Sequence, residues 1–210
     1  PIGVLFFLAT SSIAVYGVMQ ASNGQHIPHN LDAVPQMMWV KSRTQNSSYW
    51  GVYHFGENGG TNPETYRLDL HDTGVETGSS FWNSTAPTSE SFSVGNTWTN
   101  TSNEQYIAML FASVTGISKC GYYDGQNSDL TITTGFQPRF LIIKRANSNG
   151  GWYLADTTRG WGASGNTAQL LQLQDGAAQF SNNDFGAPTS TGFTVKGAET
   201  GWNESGGKYI

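Results

Sequence analysis

The stretch Ala86–Val94, APTSESFSV, returns as APTSTGFTV at Ala187–Val195, 101 positions further along the same chain. A phrase of nine residues written twice in 210 raises a choice between a copied site and a copied module. The flanking sequence favours the module. VPQMMWVKSR (Val34–Arg43) aligns with QPRFLIIKRA (Gln137–Ala146), WGVYH from Trp50 with WYLAD from Trp152, and LDLHD from Leu68 with LQLQD from Leu171. After the repeated phrase, NTSNEQYI from Asn100 aligns with NESGGKYI from Asn203. Five blocks hold their order and a spacing of 101 to 103 residues, which predicts an internal duplication.

Each block reads as a strand. MMWVK and FLIIK are short apolar runs closed by Lys41 and Lys144, the pattern of a strand covered on both faces. YRLDLHD alternates, placing Leu68 and Leu70 toward a core and Asp69 and His71 outward. Thr167–Asp175 has some helical character, but its partner LDLHD argues for a strand. Clusters such as ENGGTNPE (Glu57–Glu64) break helices and favour turns. In the repeated phrase, Pro87 and Pro188 lack a backbone donor and mark a turn or strand start. The Thr and Ser beside them can bond nearby backbone groups, and Phe92 or Phe193 then enters the core. The phrase is a predicted corner.

Composition agrees. Charged residues are only 12% of the chain, hydrophobic residues 37%, and there are 26 glycines, as expected of short strands joined by many turns. A net charge of −5 offers no basic face for nucleic acid. The one cysteine, Cys120, excludes an internal disulfide, leaving packing and hydrogen bonds to hold the fold. The apolar run Ile2–Ala9 (IGVLFFLA) is shorter than the roughly 20 residues a membrane helix needs, so no membrane insertion is expected. It lacks the basic start of a signal peptide and is expected to be a buried strand or the end of a preceding module.

Catalytic and metal signatures are weak. HIPH places His26 and His29 three apart around Pro28, without a diagnostic metal spacing to His54 or Asp32. No nucleophile elbow occurs, and the aligned second copy replaces His54 by Asp156 and His71 by Gln174. Glu57, Glu64, Asp69 and Asp72 are candidate paired carboxylates for glycoside hydrolysis, although acids in turns usually face solvent. DGQNSD (Asp124–Asp129) offers oxygen ligands but not the calcium-loop spacing, so a turn is expected. The chain is expected to be non-enzymatic, with no cofactor and no metal.

Aromatic residues carry more signal. Seven Trp, nine Tyr and eleven Phe exceed average usage. Trp50 and Trp152 occupy aligned strand positions and are expected in the core. Trp82, Trp98, Trp161 and Trp202 stand in loop-like Gly/Asn/Thr contexts. Ring faces there suit stacking on sugar C–H faces while amides bond hydroxyls, which makes these four the candidate glycan- or partner-binding residues. Aromatic lids closing the ends of a sandwich, or anchors in a subunit interface, are the competing readings.

TGFQPRFLIIKR (Thr134–Arg145), GWYLADTTRG (Gly151–Gly160), GFTV (Gly192–Val195) and NESGGKY (Asn203–Tyr209) follow one another in the second half. In this order they resemble a repeat family of tailed-bacteriophage virion and tail-fibre-like proteins, a β domain of unknown function. HIPHNLDAVPQMMWVKSR (His26–Arg43) and FWNSTAPTSESFSVG (Phe81–Gly95) fit the same scheme in the first half, and ISKCGYYDGQ (Ile117–Gln126) looks like the linker between repeats. The first half lacks the D-x-x-RG block and has YHFGENGG instead. The resemblance implies a virion surface or appendage protein assembled in several copies, and it supplies no catalytic residues.

The expectation is therefore an all-β chain of two tandem β-sandwich-like modules related by internal duplication. Residues 1–12 form an apolar N-terminal segment, 13–116 the first repeat, and 117–210 the second, which stops in mid-strand. The expected function is a structural protein on the phage surface, a tail fibre, spike or capsid decoration with an adhesive role. Its partners would be copies of itself, other virion proteins and host surface glycans. A carbohydrate-binding module is the alternative, and a glycan-degrading enzyme a more distant one.

Overall fold

The computed structural model describes residues 13–20, 25–46, 48–95, 98–163, 168–182, 185–197 and 199–210. The apolar run Ile2–Ala9 lies outside them. The fold is all-β, and its contacts divide it into two units. The first comprises Pro1–Leu70 and Glu76–Val114, the second His71–Val75 and Thr115–Ile210.

The first unit holds β1 (Ile13–Gln20), β2 (Gln25–Pro28), β3 (Met37–Ser42), β4 (Gly51–His54), β5 (Tyr66–Asp69), β6 (Thr77–Gly78), β7 (Ser91–Val94) and β8 (Gln105–Phe111). Six of them form one sheet in the order β1-β8-β3-β4-β5-β6, while β2 and β7 pair separately. Alternation directs the packing. On β8, Tyr106, Ala108 and Leu110 are buried, and on β3, Met38 and Val40 are buried. These side chains meet Ile27, Phe92 and Val94 from the β2–β7 pair in a common core, which is a sandwich-like arrangement.

The second unit holds β9 (Tyr123–Asp124), β10 (Leu130–Thr133), β11 (Phe140–Lys144), β12 (Trp152–Asp156), β13 (Ala168–Gln172), β14 (Phe180–Asn182), β15 (Pro188–Thr189), β16 (Gly192–Val195) and β17 (Lys208–Tyr209). One sheet runs β11-β12-β13-β14, another β10-β16-β15, and β17 pairs with β9. Ile143, Ala155 and Leu170 of the first meet Phe193 and Val195 of the second, with Trp161, Phe185 and Trp202 from the loops. Close approach of β10 to β16 depends on Gly192, where a Cβ would lie 2.0 Å from the Ile132 carbonyl oxygen.

The repeated phrase is a corner in both units. Thr88 N–H donates to Ser91 O at 2.8 Å, closing a two-residue turn into β7, and the Thr88 hydroxyl accepts from the Ser91 N–H at 3.0 Å. In the second unit Pro188 pairs with Phe193 and Thr189 with Gly192 across the equivalent hairpin. Phe92 and Phe193 are both buried. The strand expected within Thr167–Asp175 is β13.

One expectation is corrected. MMWVK and FLIIK are not covered on both faces: β3 alternates buried and half-buried positions, and Phe140 of β11 is 57% exposed. Lys144 is nonetheless buried, because its ammonium donates to Gly74 O at 2.8 Å and Arg145 O at 2.6 Å. The ENGGTNPE stretch is a run of tight turns, as expected, including two single-turn 3-10 elements, Glu57–Gly60 and Pro63–Thr65. Asn58 and Asn62 take left-handed conformations there (φ 50° and 48°), which Asn tolerates better than most residues.

Candidate functional site

The loop tryptophans were the leading candidates, and three of them are core residues. Trp82, Trp161 and Trp202 are buried, so their ring faces are not open to a sugar. Each ring packs within the core of its own unit. Trp82 donates its Nε1–H to Tyr66 O at 2.9 Å and packs edge-on against Tyr53. Trp161 donates to Gly186 O at 3.1 Å and contacts Phe185 and Phe193. Trp202 lies 5.1 Å from Phe185 and 5.3 Å from Tyr153, both edge-on.

Trp98 differs. It is half-buried and stacks on Tyr49, centroid to centroid 4.8 Å, at an interplanar angle of 30°. Tyr49 is 41% exposed. Trp50, expected in the core like Trp152, is only half-buried, and Lys41 Nζ stands 5.9 Å from its ring while donating to Ser48 O at 2.6 Å. Tyr49 was not singled out from the sequence. The available signal was its place in SSYWG, directly before an aligned Trp.

A second feature lies at the end of β4. Glu57 is fully buried, and neither carboxylate oxygen has a hydrogen-bond partner among the described residues. Burial pushes its carboxyl well above the usual range. Glu76 and Asp69 push it the same way, while the His54 peptide and Arg67 oppose. His54 beside it is also buried; its Nδ1 accepts the Gly56 N–H at 3.0 Å, and burial lowers its pKa to about 3. The Tyr53 phenol is raised by burial and by the charges of Glu64 and Glu57. At the end of β12 the chemistry is reversed: Asp156 forms an ion pair with Arg159 and accepts its N–H at 2.9 Å.

The other candidate carboxylates are occupied differently. Asp69 pairs with Arg67 at 3.2 Å, and Asp72 accepts the Gly74 N–H at 2.8 Å. Of the HIPH pair, His29 bonds Thr88 O through Nε2 at 3.0 Å and so secures the corner, while His26 meets Ser93 Oγ at 3.0 Å. The DGQNSD loop is a turn held by Asn203, which accepts the Gln126 N–H and donates to Ser128 O at 2.6 Å. Among the described residues no group of three or more His, Cys, Asp or Glu is placed to hold a metal ion. A shallow depression of about 380 Å³ in the first unit is lined by Val34, Pro35, Gln36, Tyr53, Phe55 and Ala112 among others. Cys120 is in no disulfide, and burial raises its thiol to about 11.

Compared with known proteins, the chain matches no curated protein and no solved structure. A family model does match, and the match runs through both units. Residues 9–210 fit the family described as "Domain of unknown function (DUF7483)", and the chain belongs to that family.

Proposed function

We propose that this chain is a non-enzymatic structural protein of a bacteriophage surface, built from two duplicated β modules and adhesive in role. One observation supports the reading: the residues of the blocks that resemble virion repeat proteins are consumed by framework contacts. Lys144 clasps two carbonyls, Asp156 and Arg159 lock the turn after β12, and Trp161 packs in the core while donating to Gly186 O. Asn203 is fully buried and ties the 126–128 loop to Gly197, and Tyr209 packs in the core. A signature spent on architecture fits an assembly protein better than a catalyst.

The duplication is supported by the parallel orders of the two units. In the first, β8-β3-β4-β5-β6 forms one layer and β2-β7 the other. In the second, β11-β12-β13-β14 is flanked at Lys144 by Ile210, and β10-β16 forms the other layer. Mass-spectrometric inventory of gradient-purified phage particles tests the function. The chain is expected in several copies per particle; its confinement to the particle-free lysate would overturn the reading.

A carbohydrate-binding role is the second reading, favoured by the Tyr49–Trp98 stack alone. Screening the chain on a glycan array, beside Trp98→Ala, tests it. Binding that vanishes in the variant supports a sugar platform, and no binding by the parent chain removes it.

A further inference from the structure

Glu57 follows β4 by three residues, is 0% exposed, and neither of its carboxylate oxygens has a hydrogen-bond partner among the described residues. A carboxylate held away from water is costly unless a proton, a partner or a metal ion neutralises it. Its charged neighbours are mostly acids. Glu76, just ahead of β6, accepts the Asn58 N–H through Oε2 at 2.6 Å, which sets its carboxylate against the backbone that carries Glu57. Glu76 is half-buried, so the pair runs from the interior to the surface. Among charged groups Glu76 acts most strongly on the Glu57 carboxyl, followed by Asp69.

The chain does not answer this charge itself. Arg67, the cation that opposes the acids, is committed to Asp69, whose two oxygens accept its Nε–H at 3.3 and 3.2 Å, and its guanidinium lies 4.5 Å from the Phe81 ring. His54 is buried with Nδ1 accepting the Gly56 N–H, and burial holds it neutral.

The second unit treats the same turn differently. Counted from the aligned Trp50 and Trp152, Glu57 falls at the place of Arg159 and His54 at that of Asp156. There Arg159 pairs with Asp156. The first unit puts an acid where the second keeps a guanidinium, and the positive charge is left to come from solution.

Carboxylate oxygens are hard donors, suited to calcium or magnesium rather than to softer metals. With Asp69 held by Arg67, two carboxylates remain, in keeping with the lack of any three-residue metal group among the described residues. Calcium tolerates such a site best. It takes roughly six to eight oxygens in irregular geometry, peptide carbonyls and water among them, whereas magnesium requires near-octahedral order.

We propose that Glu57 and Glu76 hold a calcium ion at the turn after β4, Glu57 from the interior and Glu76 from the solvent side. The ion is a structural clasp within the first unit, joining that turn to the start of β6. It stands apart from the virion reading, which neither requires nor excludes it.

Calorimetric titration of calcium chloride into the chelator-stripped full chain reads the binding. Unfolding midpoints are compared in calcium, magnesium and sodium chloride at matched ionic strength. One calcium site per chain is expected, with a rise in midpoint of at least about 4 °C at saturation and a smaller response to magnesium. Glu57→Gln keeps the shape, removes the charge and is expected to lose the site. Glu76→Gln is expected to weaken binding on the order of tenfold or more. In chelator at pH 7 the parent is expected to melt below Glu57→Gln, and calcium is expected to reverse that order. Should circular dichroism show that Glu57→Gln does not fold, Glu76→Gln at the half-buried position carries the test. A parent chain that binds no calcium overturns the proposal, as does unchanged binding in either folded variant. An equal rise in sodium chloride also overturns it, because screening of the acids would then account for the effect. An equal rise in magnesium overturns the assignment to calcium.

Discussion

The Tyr209 hydroxyl accepts the Glu204 N–H at 3.0 Å and donates to Thr200 O at 2.9 Å. In the first unit Tyr106 accepts the Thr101 N–H at 2.8 Å across the same separation of five residues. Each phenol thus pins the loop that delivers the chain into its next strand. Tyr209→Phe keeps the stacking on Tyr123 (5.2 Å, 18°) and removes only the hydroxyl. A loss of about 1–2 kcal/mol is expected, one hydrogen bond plus a partly buried N–H left without its acceptor. Chemical denaturation of the variant, and of Tyr106→Phe, measures it; unchanged stability in both would show that the hydroxyls do not hold these loops.

Glu57 and His54 give the first unit opposed pH dependences. The Glu57 carboxyl is raised above its unfolded value, so the folded state holds the extra proton and stability falls as pH rises from about 4.5 toward the folded pKa. The His54 imidazole is lowered to about 3, so the unfolded state takes up protons first and stability falls as pH drops through about 6.5. Glu57→Gln abolishes the first effect without adding a charge beside Glu76 and Asp69. The variant is expected to be more stable than the parent at pH 7, with the advantage shrinking toward pH 4.5. Thermal melts across that range report it, and a constant difference would place the Glu57 titration elsewhere.

Strand positions were legible because they are written locally. Alternation in YRLDLHD, cations closing MMWVK and FLIIK, and the proline corners lie within a few residues of the structure they determine. The burial of Trp82 and Trp161 was not. Their neighbours are Asn, Gly and Thr, which read as exposed loop, whereas burial comes from Tyr66, 16 residues before Trp82, and Gly186, 25 residues after Trp161. Glu57 misled for a related reason: ENGG is polar as written, and only the left-handed turn at Asn58 and Gly59 (φ 50° and 63°) accompanies a carboxyl that ends up inside.

The tryptophans should separate by energy as they do by burial. Trp161→Ala empties a fully enclosed site and is expected to cost about 3–5 kcal/mol. Trp98→Ala loses a half-exposed stack and is expected to cost about 1 kcal/mol. Urea titrations give both values. Equal costs would mean that Trp98 is as much a core residue as Trp161, leaving the surface platform without a basis.

Two glycines with similar backbone angles test how closely the corner before β16 is packed. Gly135 has φ +89° with open space where a Cβ would go, so Gly135→Ala pays backbone strain alone, about 1–2 kcal/mol. Gly186 has φ +94°, and its Cβ would stand 2.0 Å from the Thr194 carbonyl oxygen. The same carbonyl group belongs to β16, and the Gly186 carbonyl receives the Trp161 indole, so neither side can yield without opening the core. Gly186→Ala is therefore expected to cost at least about 3 kcal/mol, strain and overpacking together. Denaturation midpoints of the two variants measured side by side decide the point. A Gly186 variant no weaker than the Gly135 variant would mean that the corner relaxes, and that Trp161 is held by its ring contacts rather than by the Gly186 carbonyl.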